Sequence, residues 1–264
     1  MEKNYHTVPF SMNRRMVAAS ASIGRQRNVI HAITEVDITE VRRLIDENRQ
    51  QTGKRLSLTA YVVACLSKAV AENPYINAFR RGRKLVLLND VTISVIMERN
   101  VSGEQVPEPL GIQAAQSKSF MQINDEIRSA QLTSGGKLGS LSGMQWKNII
   151  PGFLLKAFIK IASRSIKMNS RYGVVGVTAV GMFGTETLWF LPLSGATLTV
   201  TIGGIAKKGN PGNKTERLCL TLSFNHDIVD GAPAARFIKR LSEIITSAEI
   251  LRNGAQVLTL ANGA

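Results

Sequence analysis

The sequence predicts an α/β domain. Three strand-like stretches followed by an amphipathic helix fill its last third. A second helix, apolar throughout, lies near its start, and 44% of the 264 residues are hydrophobic, enough for one large core. No internal repeat and no convincing linker divides the chain, so residues 1–264 are expected to fold as one domain.

In chain order, residues 1–24 read as an extended arm leading into a helix near 11–24. "NVIHAITEVDIT" (28–39) is rich in β-branched residues and predicts a strand. "EVRRLIDENRQQTG" (40–53) predicts a polar helix stopped by Gly53, and "SLTAYVVACLSKAVAENP" (57–74) a buried helix ending before Pro74. "KLVLLNDVTISVIME" (84–98) reads as two strands around a turn at Asn89 and Asp90. A helix is expected over 119–132, then a Gly/Ser-rich loop over 133–143. Strands follow at 173–181, 196–206 and 217–225; "KKGNPGNK" (207–214) is a hairpin turn between the last two. In the last strand Leu218, Leu220, Leu222 and Phe224 share one face, which His226 would join if the alternation continued. Residues 232–251 close the series as a helix with Pro233 in its first turn and Phe237, Leu241, Ile244, Ile245 and Ala248 on one stripe.

Lys and Arg number 33 against 19 Asp and Glu, a net charge of +14 that favours anionic partners at long range. Nucleic acid has the charge in its favour, but no recognisable binding module is present and aromatics make up only 6% of the chain. Cys65 and Cys219 sit in apolar surroundings without metal-ligand spacing, and His6 and His31 lack partners at ligand spacing, so no metal is expected. The N-terminus has no apolar signal segment, no run of 18 apolar residues exists, and both cysteines read as reduced; these point to a cytoplasmic protein.

The motif that carries chemistry is "LTLSFNHDIVDGAPAARFIKRL" (220–241), a strand, then His226 four residues before Asp230 and Gly231, then a helix. An imidazole held at such a junction can take a proton from a thiol or hydroxyl near neutral pH. The plainer alternative is a strand-end histidine with Asp230 as a helix N-cap.

This motif resembles the signature of the catalytic domain of dihydrolipoyl acyltransferases of 2-oxo acid dehydrogenase complexes, and is similar to the His-x-x-x-Asp-Gly of chloramphenicol acetyltransferases. "VPFSMNRRMVA" (8–18), "RLSLTAYVVACLSKAVAENPYINAF" (55–79), "LNDVTISV" (88–95) and "VTAVGMFGTE" (177–186) match further family segments in order. The resemblance implies a chloramphenicol-acetyltransferase-like two-layer sandwich, with a mixed sheet and helices on one side, assembled as a trimer or a larger body. It implies acyl transfer between a thioester, acyl-coenzyme A above all, and a thiol or hydroxyl. His226 would be the general base, Thr178 the oxyanion donor in place of the usual Ser, and Asp230 with Arg14 an orienting pair. Base and oxyanion donor would come from different subunits.

Two departures stand out. The family reads Asp-His-Arg where this chain has Asn225, His226 and Asp227, and no lipoyl domain is evident, so the acyl donor or acceptor would be free or carried on another protein. A non-catalytic scaffold that kept the fold is the alternative. Residues 145–172 look like an insertion. Within 150–172 Lys156, Lys160, Arg164, Lys167 and Arg171 form a basic face opposite Phe153, Leu154, Ala157, Phe158, Ile161 and Ala162. Such a helix either packs its apolar side on the sheet or docks an acidic carrier protein or a membrane surface. Trp146 and Trp189 could line an acyl pocket, with core packing the plainer use.

Overall fold

The computed structural model describes residues 4–101, 104–132, 151–181, 186–209 and 214–253. In order the elements are α1 (Met12–Gly24), β1 (Val29–Asp37), α2 (Thr39–Thr52), α3 (Leu58–Ala71), β2 (Ala78–Arg81), β3 (Lys84–Leu87), β4 (Ile93–Val101) and β5 (Glu104–Ile112). There follow α4 (Phe120–Leu132), α5 (Gly152–Ala162), α6 (Ile166–Tyr172), β6 (Val175–Ala179), β7 (Leu198–Lys208), β8 (Thr215–Asn225) and α7 (Gly231–Ser247). Six strands form a sheet in the order β1-β8-β7-β6-β4-β5; β6 runs parallel to both neighbours and the other pairs are antiparallel, so the sheet is mixed.

Period-two alternation sends Leu218, Leu220, Leu222 and Phe224 of β8 to one face, and register aligns the last three with Ile202, Val200 and Leu198 of β7. Val175 and Val177 of β6 and Ile93 and Val95 of β4 extend the same apolar surface. Helices α2, α3, α4 and α7 close over it: Phe237 of α7 meets Phe224 edge-on, with centroids 6.0 Å apart, and the buried Tyr61 hydroxyl of α3 donates to the Ile245 carbonyl at 2.7 Å. Gly53, at φ +70°, ends α2 in the left-handed conformation its sequence position suggested.

The opposite face of the sheet is polar, with Ser94, Thr178, Thr199, Thr201, Thr221, Ser223 and Asn225 in register. It is not bare. Helix α1 and the stretch 186–196 pass over it: the Thr199 hydroxyl donates to Ser194 Oγ at 2.6 Å and the Trp189 indole to the Thr34 carbonyl at 3.4 Å. The expected placement of helices on one side is therefore corrected. Those four helices take the apolar face, while α1, with α5 lying on it, belongs to the other.

The two strands expected around Asn89 and Asp90 are β3 and β4; they join different sheets, β3 folding back on β2 through Gly82 at φ +64°, and the Asn77 amide ties the turn by donating to the carbonyls of Leu88 and Asp90. Strand β5 escapes sequence reading because Pro107 and Pro109 interrupt it. It tolerates them as an edge strand, where missing donors are harmless. The helix expected over 150–172 is two helices, since Ser165 caps α6 by accepting from the Met168 N–H at 3.4 Å. The Gly/Ser-rich stretch 133–143 lies outside the described residues.

Because Phe237 is buried and bridges β8 to α7, Phe237→Ala should cost about 3–5 kcal/mol of unfolding free energy. Denaturant melting followed by circular dichroism measures it; a loss below about 1 kcal/mol would mean that the α7 contact does not organise the core.

Candidate functional site

Strand β8 stays buried up to Asn225 and then leaves the sheet, so the alternation stops before His226. His226 lies in a turn with its side chain 46% exposed, not on the apolar face. The turn is tightly hydrogen-bonded. The His226 N–H donates to the Asn28 carbonyl at 2.6 Å, the Asp227 N–H to Asn225 Oδ1 at 3.1 Å, and the amides of Ile228 and Val229 to the Asn225 carbonyl at 3.0 Å each. Asn225 itself is buried, its own amide donating to the Thr197 carbonyl.

Asp230 occupies the N-cap position of α7 with extended backbone, yet its side chain makes no capping hydrogen bond. Its Oδ1 instead stands 3.7 Å from His226 Nδ1, in ion-pair range but longer than a hydrogen bond. A carboxylate on the Nδ1 side favours the ring orientation that leaves Nε2 to accept a proton from an approaching acid. The side chain of Asp230 is 80% exposed, so the pair opens to solvent beyond the end of β8.

Arg14 is elsewhere. Its Nε donates to Glu104 Oε1 at 3.2 Å, and the Ser11 hydroxyl and the Asn13 amide reach the same carboxylate at 2.9 and 3.4 Å. These contacts, the Ser11 hydrogen bond first among them, hold the Glu104 carboxyl below its usual range. The expected Arg14–Asp230 pair does not form within the chain, because Arg14 has a carboxylate partner on β5 and Asp230 faces His226.

Thr178 lies on the polar face of β6, aligned with Thr201 of β7 and through it with Thr221 of β8. From Thr221 to His226 is five residues along β8, about 17 Å at the rise of a strand, with two strand spacings across as well. One chain therefore separates its two proposed catalytic groups by far more than the reach of one carbonyl.

Sequence reading missed Asn28 and Arg80, which hold the turn: the Asn28 amide donates to Asp227 Oδ1 at 2.8 Å and Arg80 Nη1 stands 3.8 Å from Asp227 Oδ2. Asp227 was the visible signal; its partners, on the α1–β1 loop and on β2, are brought to it only by folding. A cavity of about 290 Å³ adjoins the turn through Asn225 and Ile228 and is walled by Ile23, Phe79, Ile96 and Ile159. Trp189 is not among its lining residues, and Trp146 lies outside the described residues. Neither cysteine offers a nucleophile: both are buried, burial pushing the Cys65 thiol up to about 12 and raising that of Cys219. Among the described residues no helix is long and apolar enough to cross a membrane.

With this geometry in view, the chain compares as follows with known proteins. Residues 2–145 match the family of 2-oxoacid dehydrogenases acyltransferase (catalytic domain), a span that includes Arg14 and stops before Thr178, His226 and Asp230. The dihydrolipoyllysine-residue acetyltransferase component of the acetoin cleaving system of Bacillus subtilis is 22% identical over 254 residues, covering 91% of this chain, which spans 55% of that relative's length. Two solved structures are similar in fold. One comes from a crystallographic and enzymatic study of a serine, a histidine and an asparagine in the catalytic mechanism of Azotobacter vinelandii dihydrolipoamide acetyltransferase (TM-score 0.66, 16% identity, 95% of each chain covered). The other is a chloramphenicol acetyltransferase (TM-score 0.50, 12% identity, 88% and 94% covered). The fold is chloramphenicol-acetyltransferase-like, and the chain belongs to the 2-oxoacid dehydrogenase acyltransferase catalytic-domain family.

Proposed function

We propose that the protein is an acyltransferase that moves an acyl group between a coenzyme A thioester and a thiol or hydroxyl acceptor. The observation that carries this reading is His226, presented on a rigid turn with Asp230 on its Nδ1 side. The histidine and asparagine of the Azotobacter acetyltransferase have the same four-residue spacing as His226 and Asp230, which supports the assignment. In the forward direction Nε2 of His226 removes the acceptor's proton, the thiolate or alkoxide attacks the thioester carbonyl, and the oxyanion accepts a hydrogen bond from the Thr178 hydroxyl. Collapse expels the coenzyme A thiolate, which takes the proton back from His226. The +14 charge favours approach of the phosphate-rich donor. The acyl group would otherwise be carried on a lipoyl group of another protein.

The distance between Thr178 and His226 in one chain supports a site shared between neighbours, with the histidine of one copy and the threonine of the next, in a homotrimer or a larger assembly built from trimers. Arg14 then serves to anchor the arm to Glu104, not to orient Asp230.

His226→Ala should leave the fold intact and lower acyl transfer, followed as release of free coenzyme A thiol, by at least about a hundredfold. Thr178→Ala should cost on the order of a hundredfold and Thr178→Ser little. The decisive measurement mixes the two inactive variants during refolding: mixed assemblies pair one copy's His226 with another's Thr178, so activity should return. No return of activity would sink the shared site. A fully active His226→Ala protein would sink the histidine mechanism, and absence of transfer by the unaltered protein would leave the non-catalytic scaffold.

Helix α5 supports a docking role. Phe153 and Ile161 are 69% and 71% exposed, Leu154 and Phe158 are exposed beside them, and Lys156, Lys160 and Arg164 border this strip. The apolar side thus faces outward instead of packing on the sheet. An anionic lipid surface satisfies both strips at once, apolar residues in the acyl boundary and lysines among the headgroups. Lys156→Glu, Lys160→Glu and Arg164→Glu together should abolish sedimentation with vesicles containing phosphatidylserine. Unchanged sedimentation, or none by the unaltered protein, would overturn the lipid role, and binding to an acidic acyl carrier would take its place.

A further inference from the structure

The acid that follows His226 is the residue at which this chain departs most from the family signature, and the structure gives it a set of partners. Asp227 accepts from the Asn28 side-chain amide at 2.8 Å, faces Arg80 at 3.8 Å, and donates its own N–H to Asn225 Oδ1 at 3.1 Å. Asn28 contributes twice, since its carbonyl accepts the His226 N–H at 2.6 Å. The His226 peptide is thus bracketed by the main chain and the side chain of one residue. The two Asn28 bonds are short enough to be directional, whereas the Arg80–Asp227 contact is long and Arg80 is largely exposed. An exposed pair of that kind adds little to global stability, so its effect must be sought locally.

We propose that Asp227, held by Asn28 and countercharged by Arg80, is a positioning residue that fixes the turn carrying His226; its consequence for transfer rests on the acyltransferase reading above. Three segments distant in sequence, the α1–β1 loop, β2 and the end of β8, meet on this carboxylate. Where the family signature has an arginine after the histidine, this chain has reversed the sign and supplied the cation from β2. Arg80 also offsets the negative charge that Asp227 would otherwise set beside the imidazole.

Two readouts on the same variants test the proposal. Hydrogen exchange followed by mass spectrometry reads the turn without any chemistry: Asp227→Ala should speed exchange of the peptide covering His226 by at least about tenfold, leaving the interiors of β8 and α7 unchanged. Steady-state transfer should lose about tenfold in kcat with KM within about twofold, the pattern of a misplaced base and not of lost binding. Asp227→Asn, which keeps an oxygen to accept from the Asn28 amide and gives up only the charge facing Arg80, should keep most of both. Should Asp227→Ala not fold, Asn28→Asp, which sets a like charge against Asp227 at almost equal volume, is expected to act in the same direction. Unchanged exchange in Asp227→Ala and Asn28→Asp overturns the proposal. So does faster exchange with undiminished kcat, or an Asp227→Asn variant no better than Asp227→Ala. Absence of transfer in the unaltered protein overturns the acyltransferase reading instead, and exchange alone then decides whether Asp227 fixes the turn.

Discussion

The rise of a β-strand sets the terms for the rest of this protein. Residues advance a little over 3 Å along a strand, and register ties Thr178, Thr201 and Thr221 into one row across three strands. His226, beyond the end of that same sheet, cannot approach the row without breaking the hydrogen bonds that bury β8. Under the proposed function, a rigid sheet keeps His226 and Thr178 apart in one copy, and a neighbouring copy would have to join them.

Charge is used locally in this molecule, in spite of its large overall excess. Arg14 and Glu104 settle the arm against β5, Asp227 collects Asn28 and Arg80 around the histidine turn, and Asp230 stands free of capping duty beside the imidazole. The cations of α5, α6 and the turn between them have a different character: Lys156, Lys160, Arg164, Lys167 and Arg171 are all exposed. The first group shapes a site, and the second shapes a surface.

Family membership rests on the first half of the chain and the proposed chemistry on the second. Residues 2–145 carry the family match, whereas the strand–turn–helix with His226 keeps the architecture at low identity to solved relatives. Cores tolerate wide exchange of apolar residues so long as pattern and volume persist, so β6, β7, β8 and α7 can hold their places while side chains drift. At the turn less can drift freely, because its backbone N–H groups and the Asp227 carboxylate already have partners.

Periodicity by itself determined most of the elements. The alternation of Leu218, Leu220, Leu222 and Phe224, the stripe of Phe237, Leu241, Ile244 and Ile245, and Gly53 after α2 need only local geometry to be legible, and the spacing of His226 and Asp230 across a strand-to-helix junction was equally local. Tertiary structure alone decided what pairs with what. Nothing near Asp227 in sequence points to Asn28 or Arg80, nothing near Arg14 points to Glu104, and the prolines of β5 conceal a strand that only an edge position permits. The outward turn of Phe153 and Ile161 was hidden for the same reason: a helical wheel shows which residues share a face, but which face is covered depends on where the rest of the chain, and its neighbours, come to lie.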